Sequence, residues 1–260
     1  MTARAALLIE YDGSGFVGWQ SQGNGVAIQD VLEAAACRLA GGGPVASAVA
    51  GRTDAGVHAE GQVALLELPE PFPLPRLREA LNFHLKPHPV VVLRAAAAAE
   101  GWHPRFAATG RAYRYRILNR RPRPALLAGR VWHVPHPLDE EAMQAAARSL
   151  LGRHDFSAFR AASCQARSAL RTLDRLDVTR AGDLVEIVAE ARSFLHHQVR
   201  NMVGTLALVG SGRWPVGRVA EVLAGRDRRA AGPTAPAEGL TLTGVRYARD
   251  PFAEPPEDTP

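Results

Sequence analysis

The stretch Ala50-Gly51-Arg52-Thr53-Asp54-Ala55-Gly56-Val57-His58 decides how the first half of this chain is organised. An apolar run over residues 44–50 leads into it, and an alternating run over residues 62–68 leads out of it. Both runs are typical of strands, and glycines mark a turn between them. The stretch therefore predicts a polar loop at the point where two strands meet.

Asp54 is the residue of this loop with two interpretations. Aspartate beside glycine most often stabilises a turn or caps a helix, and spacing alone favours that structural role. The alternative is a nucleophile or general base, kept ionised by Arg52 and approached closely by a substrate because glycines flank it. His58 follows four residues later, but one aspartate and one histidine are too few ligands for a metal site, so we predict that His58 supports the loop.

The segments around the loop predict an N-terminal α+β half over residues 1–104. Apolar residues recur at helical spacing over residues 26–39 and 74–85. Strand patterns precede the first helix at residues 7–11 and follow the second at residues 89–93, which gives the order βαββαβ.

A similar order recurs over residues 105–249, which predicts a C-terminal α+β half. In chain order its patterns are 111–118 (strand), 139–151 (helix, capped by Asp139), 172–179 and 184–191 (strands), 196–209 and 216–223 (helices) and 240–247 (strand). Two such halves side by side predict an α+β fold in which the sheets join, helices cover one face and a central cleft remains. Residues 250–260, rich in Pro, Glu and Asp, predict a flexible tail.

Composition narrows the class of protein. At 260 residues and 47% hydrophobic content, the chain can bury a sizeable core. No apolar run approaches the roughly 20 residues that span a bilayer, and the N-terminus enters a strand pattern rather than a signal peptide, so we predict a cytoplasmic protein with no membrane contact. Cys37 and Cys164 are too few for a disulfide framework and lack the spacing of zinc ligands, which predicts two buried or partly buried thiols.

The positive charge favours a polyanionic partner. The net charge is +5, the pI is about 9.8, and Lys86 is the only lysine, so nearly all cations are guanidinium groups suited to phosphates and bases. A GC-rich genome that uses arginine codons is the simpler explanation for the overall excess of arginine. A local cluster is more informative, since residues 105–116 interleave basic and aromatic side chains.

On a strand, this cluster places Tyr113 on one face with Arg111 and Tyr115, because side chains alternate with a period of two. That face can stack a base while nearby arginines hold phosphates, as in proteins that bind unpaired nucleotides. An ordinary edge strand with solvated arginines is the alternative, and the residues leave both open.

The helix predicted over residues 196–209 carries Arg200 beside an apolar stripe. Burial of an unpaired arginine is costly, and a carboxylate such as Asp54 across the cleft would pair with it. On a helix, His196 and His197 diverge by about 100°, which favours packing or RNA contact over a shared metal ion.

Taken in order, these segments resemble the tRNA pseudouridine synthase A family over nearly the whole chain. The most specific match is Gly51-Arg52-Thr53-Asp54-Ala55-Gly56. Supporting matches lie at residues 11–13, 18–20, 111–115, 152–159, 194–204 and 236–240. The resemblance implies paired α+β halves that share one mixed, mainly antiparallel sheet, a homodimer, and no cofactor or metal. It also implies that the enzyme isomerises uridines 38 to 40 in the anticodon stem-loop of tRNA.

The resemblance assigns roles to four residues of this chain. Asp54 matches the catalytic aspartate, and Arg52 matches the arginine associated with flipping the target nucleotide out of the stack. Tyr113 matches the tyrosine that packs on the target uracil. Arg200 matches the arginine expected to pair with the catalytic carboxylate.

The resemblance also implies two segments that contact tRNA. The first consists of Trp102, His103, Pro104, Arg105 and Phe106. The second consists of Gln165, Ala166, Arg167, Ser168 and Ala169. Trp102 and Pro104 depart from the usual Phe-His-Ala-Arg pattern of the first segment, and Gln198 stands where methionine is usual.

Pseudouridine formation breaks the bond from N1 to C1′, turns the uracil and joins C5 to the same sugar, so the base must leave the stack. Asp54 can serve this chemistry either by attacking C1′ or by acting as a base on a route through a glycal intermediate. Two rival functions are a noncatalytic RNA-binding protein that uses the same surface, and a metal-dependent hydrolase built on Asp54, His58 and His196.

Overall fold

The computed structural model describes residues 3–253 of the chain. Within that range it contains ten β-strands and six α-helices, divided between two compact units. The first unit comprises residues 3–109 and 244–253, and the second comprises residues 110–243. No helix of this range is long and apolar enough to cross a membrane.

Antiparallel strands and two long helices build the first unit. Its strands are β1 (Ala3–Tyr11), β2 (Ala46–Val49), β3 (His58–Leu68) and β4 (Val90–Ala97). Its helices are α1 (Ile28–Leu39), α2 (Leu74–Leu85) and the short α3 (Pro104–Ala107). Strand β1 pairs with β3 on one side and β4 on the other, and β2 also pairs with β3, all antiparallel.

The predicted helical spacing of the first unit is confirmed in its core. On α2, Leu77, Leu81 and Leu85 are fully buried, and the helix has the predicted bounds, directly after Pro73. Pro73 is the N-cap, and Pro75 lies in the first turn, where the missing N–H of a proline would have had no partner within the helix. Helix α1 begins at Ile28, two residues later than predicted.

The second unit is also α+β. Its strands are β5 (Ala108–Asn119), β6 (Trp132–Val134), β7 (Gly152–Asp155), β8 (Leu170–Ala181) and β9 (Leu184–Ala191). Its helices are α4 (Glu140–Ala147), α5 (Gln198–Gly210) and α6 (Arg218–Gly225). The strand order is β5-β9-β8-β7 with antiparallel pairing, and β6 pairs parallel with β5. Strand β10 (Leu240–Tyr247) has residues in both units, and so has β5 at its first two residues.

Helix α5 is the core of the second unit, because every residue from Gln198 to Gly210 except Arg200 and Leu208 is buried. Its predicted start at His196 was wrong. The helix begins at Gln198, and His197 precedes it in a left-handed conformation with φ 63°. The predicted cap of α4 is confirmed, since Asp139 Oδ1 accepts a hydrogen bond of 2.9 Å from Ala142 N.

The predicted α+β class with mainly antiparallel pairing is confirmed. The predicted central cleft concerns the relation between the two halves and stays a prediction. Phe252 is buried in an apolar cluster of the first unit with Ala6, Ala50 and Val63, although the sequence analysis placed it in a flexible tail. The remainder of that predicted tail, residues 254–260, lies outside the described residues.

Candidate active site

The loop that carries Asp54 connects β2 to β3, where the sequence predicted a turn between strands. Asp54 is half-buried and Arg52 is exposed. The backbone of the loop is tied at both ends: Ala50 N donates to Val63 O (2.9 Å), and Val57 N closes a turn onto Asp54 O (3.1 Å). These bonds fix the carboxylate-bearing residue relative to β3.

A buried polar network lies under the same loop. The Tyr11 hydroxyl and Thr53 Oγ1 are 2.7 Å apart, and Gln62 Nε2 donates to the Tyr11 oxygen (3.4 Å) and to Gly51 O (2.8 Å). Burial raises the pKa of Tyr11 to about 12, so its hydroxyl remains neutral well above neutral pH and can donate to or accept from Thr53. Unpaired polar groups are costly in a core, so this network favours one position of the residues beside Asp54.

Gly18 holds the loop from its other side. It forms an isolated antiparallel bridge with Asp54, and Trp19 N donates to Thr53 O (3.1 Å). Gly18 has φ +109°, and a Cβ added there would lie 2.7 Å from Thr53 O. Only glycine allows both this conformation and this close approach, so Gly18 permits the direct backbone support of Asp54.

His58 has the structural role predicted for it. Its side chain is buried, and Nδ1 lies 3.1 Å from Gly13 N and 3.1 Å from Asp12 Oδ1. The imidazole therefore attaches the start of β3 to the turn at Gly13–Gly15, for which Asp12 caps Ser14 N (3.0 Å).

In the second unit, Tyr113 is half-buried on β5, opposite Ala189 of β9. The Phe194 ring meets the Tyr113 ring edge-on, with 5.3 Å between centroids and an interplanar angle of 87°. Tyr115, on the same face by the two-residue repeat, is fully buried and donates its hydroxyl to Pro236 O (2.8 Å). Of these two tyrosines, only Tyr113 keeps exposed surface for a base.

Arg200 lies on the first turns of α5 and is half-buried. Its Nε donates to Ala235 O (2.8 Å), and Ala235 N donates back to Arg200 O (3.1 Å). Arg200 therefore has a backbone anchor that the sequence analysis did not predict. Its predicted ion pair with Asp54 joins residues of different units and stays a prediction.

The two histidines before α5 lie in a turn and not in the helix, so they lack the divergence of about 100° expected of adjacent helical residues. Their ring centroids are 4.0 Å apart, and His196 Nδ1 lies 3.2 Å from Ser163 Oγ. Buried Gln198 starts the helix and accepts a hydrogen bond from Leu195 N through Oε1 (2.9 Å).

The first predicted tRNA-contact segment divides into anchors and exposed side chains. Trp102 packs against Tyr247 with 5.6 Å between ring centroids, and buried Pro104 accepts the Tyr247 hydroxyl through its carbonyl oxygen (3.0 Å). Arg105 and Phe106 are exposed, and 74% of Phe106 is accessible. The guanidinium of Arg105 lies 6.0 Å from the centre of the Phe106 ring.

The partly buried His103 completes this segment. Its Nδ1 accepts a hydrogen bond from Arg105 N (3.1 Å), and its ring lies 4.5 Å from that of Phe106. The exposed side of the segment therefore combines an imidazole, a phenyl ring and a guanidinium, which are groups that stack on bases.

The second predicted contact segment divides in the same way. Gln165, Arg167 and Ser168 are exposed, and Ala166 is half-buried. Ala169 is buried, and its carbonyl accepts a hydrogen bond from Phe156 N (3.0 Å). Ala169 therefore anchors the segment rather than facing solvent.

The supporting residues were largely missed from the sequence. Gln62 stands in an alternating strand pattern and is fully buried, and a polar residue at a core position is the signal that could have identified it. The role of Tyr11 could not be identified in this way, because a tyrosine in a strand is typical of the core and the sequence does not show the partner of its hydroxyl.

Comparison with known sequences defines the class of enzyme as the tRNA pseudouridine synthases. A family profile described as "tRNA pseudouridine synthase" matches residues 146–248. A protein of Acidiphilium cryptum named tRNA pseudouridine synthase A is 69% identical over 250 residues, which cover 96% of this chain and 98% of that protein.

Further relatives carry the same name. The protein of Gluconobacter oxydans is 56% identical over 96% of this chain and 91% of its own length. The protein of Paramagnetospirillum magneticum is 58% identical over 94% of this chain and 95% of its own length. The chain belongs to the tRNA pseudouridine synthase A family.

Proposed function

We propose that this chain converts uridines 38 to 40 of the tRNA anticodon stem-loop to pseudouridine, with Asp54 as the essential carboxylate acting on a flipped-out nucleotide. Membership of the family makes the chain an isomerase that acts on tRNA uridine. The proposal adds the position in the tRNA and the residue that acts. A noncatalytic RNA-binding protein is the rival that family membership disfavours.

The observation that carries the proposed role is the rigid support of Asp54. Its backbone pairs with Gly18, and its neighbour Thr53 is held by Trp19 and Tyr11. A carboxylate that must meet one sugar carbon in a fixed geometry benefits from such support, because small misplacements cost large factors in rate.

Two chemical routes use the same carboxylate. Attack on C1′ gives a covalent sugar ester, whereas the glycal route removes the hydrogen at C2′ before the base is rejoined at C5. Deuterium at C2′ of the target uridine separates them, because only the second route breaks that bond.

Arg52 and Tyr113 have complementary proposed roles around the target nucleotide. The exposed guanidinium of Arg52 is long enough to fill the vacated stack or to bind the adjacent phosphate. Tyr113, supported edge-on by Phe194, offers its face to the uracil. In tRNA binding, Arg105, Phe106 and Arg167 are exposed candidates whose side chains can stack on bases or bind phosphates.

Replacing Tyr113 with alanine should lower kcat/KM by about 10- to 100-fold, the range expected when one base loses a stacking partner. Tyr113→Phe keeps the ring and its contact with Phe194, and should lose far less if stacking is the main role. Steady-state kinetics on an anticodon stem-loop RNA measure both. Equal losses for the two variants would instead assign the main role to the hydroxyl.

Pseudouridine mapping on tRNA from cells that lack this protein tests the proposed position. We expect the modification to disappear at 38 to 40, while pseudouridines elsewhere in the same tRNAs remain and serve as an internal control. The wild-type chain should restore it. Unchanged modification at all three positions in the deleted strain would contradict the proposed function.

The proposal includes a homodimer in the cytoplasm. A tRNA substrate places the reaction there, and the family resemblance implies that one tRNA lies across two subunits. Size measurements at the protein concentration of the kinetic assay test the dimer, because a fully active monomer would contradict it.

A further inference from the structure

The segment between α6 and β10 packs directly on helix α5. A Cβ added at Gly204 would lie 1.8 Å from Pro233 O, and one added at Gly232 would lie 2.7 Å from Thr205 Cα. Gly232 N also donates to Thr205 Oγ1 (3.0 Å). We call residues 228–236 the α5 strap. Two glycines, one on each side, allow the backbone of the strap to touch the helix.

A compact polar network fixes the strap against buried Asn201 of α5. Thr234 Oγ1 donates to Asn201 Oδ1 (2.7 Å), and Arg228 Nη2 donates both to Asn201 Oδ1 (3.1 Å) and to Thr234 Oγ1 (3.1 Å). The other terminal nitrogen of Arg228 donates to Gly232 O (2.9 Å). Thr234 thus donates one hydrogen bond and accepts another, so its hydroxyl joins the helix to the arginine.

The orientation of Asn201 in this network is itself fixed. Its Nδ2 donates to Phe159 O (2.8 Å), which leaves Oδ1 as the acceptor for the strap. The hydrogen-bond partners of Arg228 given above are neutral oxygens, and burial lowers the pKa of this guanidinium. Partial burial of an arginine that bonds the neutral oxygens of a loop, and not a carboxylate, costs free energy. This cost points to a role for Arg228 in holding the strap in place.

The residue of the strap that follows Thr234 is bonded to Arg200. Ala235 follows Thr234 and bonds Arg200 twice, from its carbonyl to Nε (2.8 Å) and from its N–H to the Arg200 carbonyl (3.1 Å). Pro236 follows Ala235 and accepts the Tyr115 hydroxyl (2.8 Å). The bond to the carbonyl of Ala235 restrains the position and direction of the Nε–H group of Arg200, and with it the orientation of the guanidinium.

We propose that Thr234 and Arg228 are positioning residues, which act through Ala235 to orient the guanidinium of Arg200 for the catalytic carboxylate. The inference rests on the proposed function and on the pairing of Arg200 with Asp54 that the family resemblance implies. A bidentate arginine–carboxylate pair depends on the plane of the guanidinium, so a small rotation of Arg200 weakens the pair without removing either charge.

The test compares Thr234→Val with Thr234→Ser and with Thr243→Val. Valine matches the shape of threonine without the hydroxyl, and serine keeps the hydroxyl. Thr243 is a half-buried threonine on β10, outside the strap, whose hydroxyl donates to Ala112 O (3.1 Å), so it controls for the loss of any threonine hydrogen bond.

We expect Thr234→Val to lower the single-turnover rate of pseudouridine formation by about 10- to 100-fold, the size expected of a displaced catalytic group. The dissociation constant for tRNA should change by less than about threefold, because the strap orients Arg200 without being proposed to bind RNA. Thr234→Ser and Thr243→Val should each retain most of the wild-type rate.

A double-mutant cycle separates positioning from general destabilisation. In an Arg200→Lys background the planar guanidinium is absent, so Thr234→Val should have almost no further effect on the rate. A wild-type rate for Thr234→Val would overturn the inference, and so would an equal loss with and without Arg200. A different result would contradict the proposed function, namely that the wild-type chain itself forms no pseudouridine at 38 to 40.

Discussion

Asp54→Asn should lower pseudouridine formation by at least about a thousandfold, the scale of loss when a residue that reacts with substrate is removed. Asparagine has nearly the same shape, so the contacts of the loop backbone with Gly18 and Val57 should persist. The amide can neither attack C1′ effectively nor take a proton as a base. Single-turnover release of the C5 hydrogen measures the reaction, because that hydrogen leaves when C5 is joined to the sugar.

The control for charge is Asp30→Asn in the same unit. Asp30 Oδ2 accepts a hydrogen bond from Ala27 N (3.0 Å) at the start of α1, so this variant removes one negative charge without touching the Asp54 loop. Its rate should stay within about threefold of wild type, and tRNA affinity at one fixed salt concentration should be similar for all three proteins. A folded Asp54→Asn protein with ordinary activity would refute the catalytic assignment.

Local chemistry made much of the fold predictable. The bounds of α2 follow from Pro73 and from leucines at every fourth position, because both signals act within the helix itself. The turn at Asp12-Gly13-Ser14-Gly15 also has a local cause, since the aspartate side chain accepts a hydrogen bond from the backbone two residues later. The start of α5 was predicted wrongly because it depends on a single backbone conformation. Helix α5 starts after His197 because that residue is left-handed, and periodicity contains no signal for such a start.

The reactive residue of the candidate site was predictable from the sequence, but the residues that fix its loop were not. The glycine-flanked stretch drew attention to Asp54, whereas spacing alone favoured a structural role for it. The polar network that fixes the loop joins Tyr11 to Thr53 and Gln62, which are 42 and 51 residues away in the chain. Strand β7 was missed for a related reason, as Gly152–Asp155 has no apolar alternation and becomes a strand by pairing with β8.

Gly204→Ala should lower the free energy of unfolding by about 3 kcal/mol, at the upper end of what overpacking costs in a core. Helix propensity acts in the opposite direction, because alanine is favoured over glycine inside a helix by about 1 kcal/mol. The clash is expected to win, since the new methyl group would meet a backbone oxygen, Pro233 O, at 1.8 Å. A backbone atom cannot rotate away, so the whole α5 strap must move and lose its bond from Gly232 to Thr205.

Urea unfolding of Gly204→Ala measures this cost, and Gly225→Ala is the matched control. Gly225 is the last residue of α6, and a Cβ there meets no atom within 4 Å, so the substitution should be neutral or stabilise by up to about 1 kcal/mol. The folded fraction of Gly204→Ala should also lose activity, because a displaced strap moves Ala235 away from Arg200. A Gly204→Ala protein as stable as wild type would show that the strap is not packed so closely against α5. The strap could then not hold Ala235 against Arg200 as proposed.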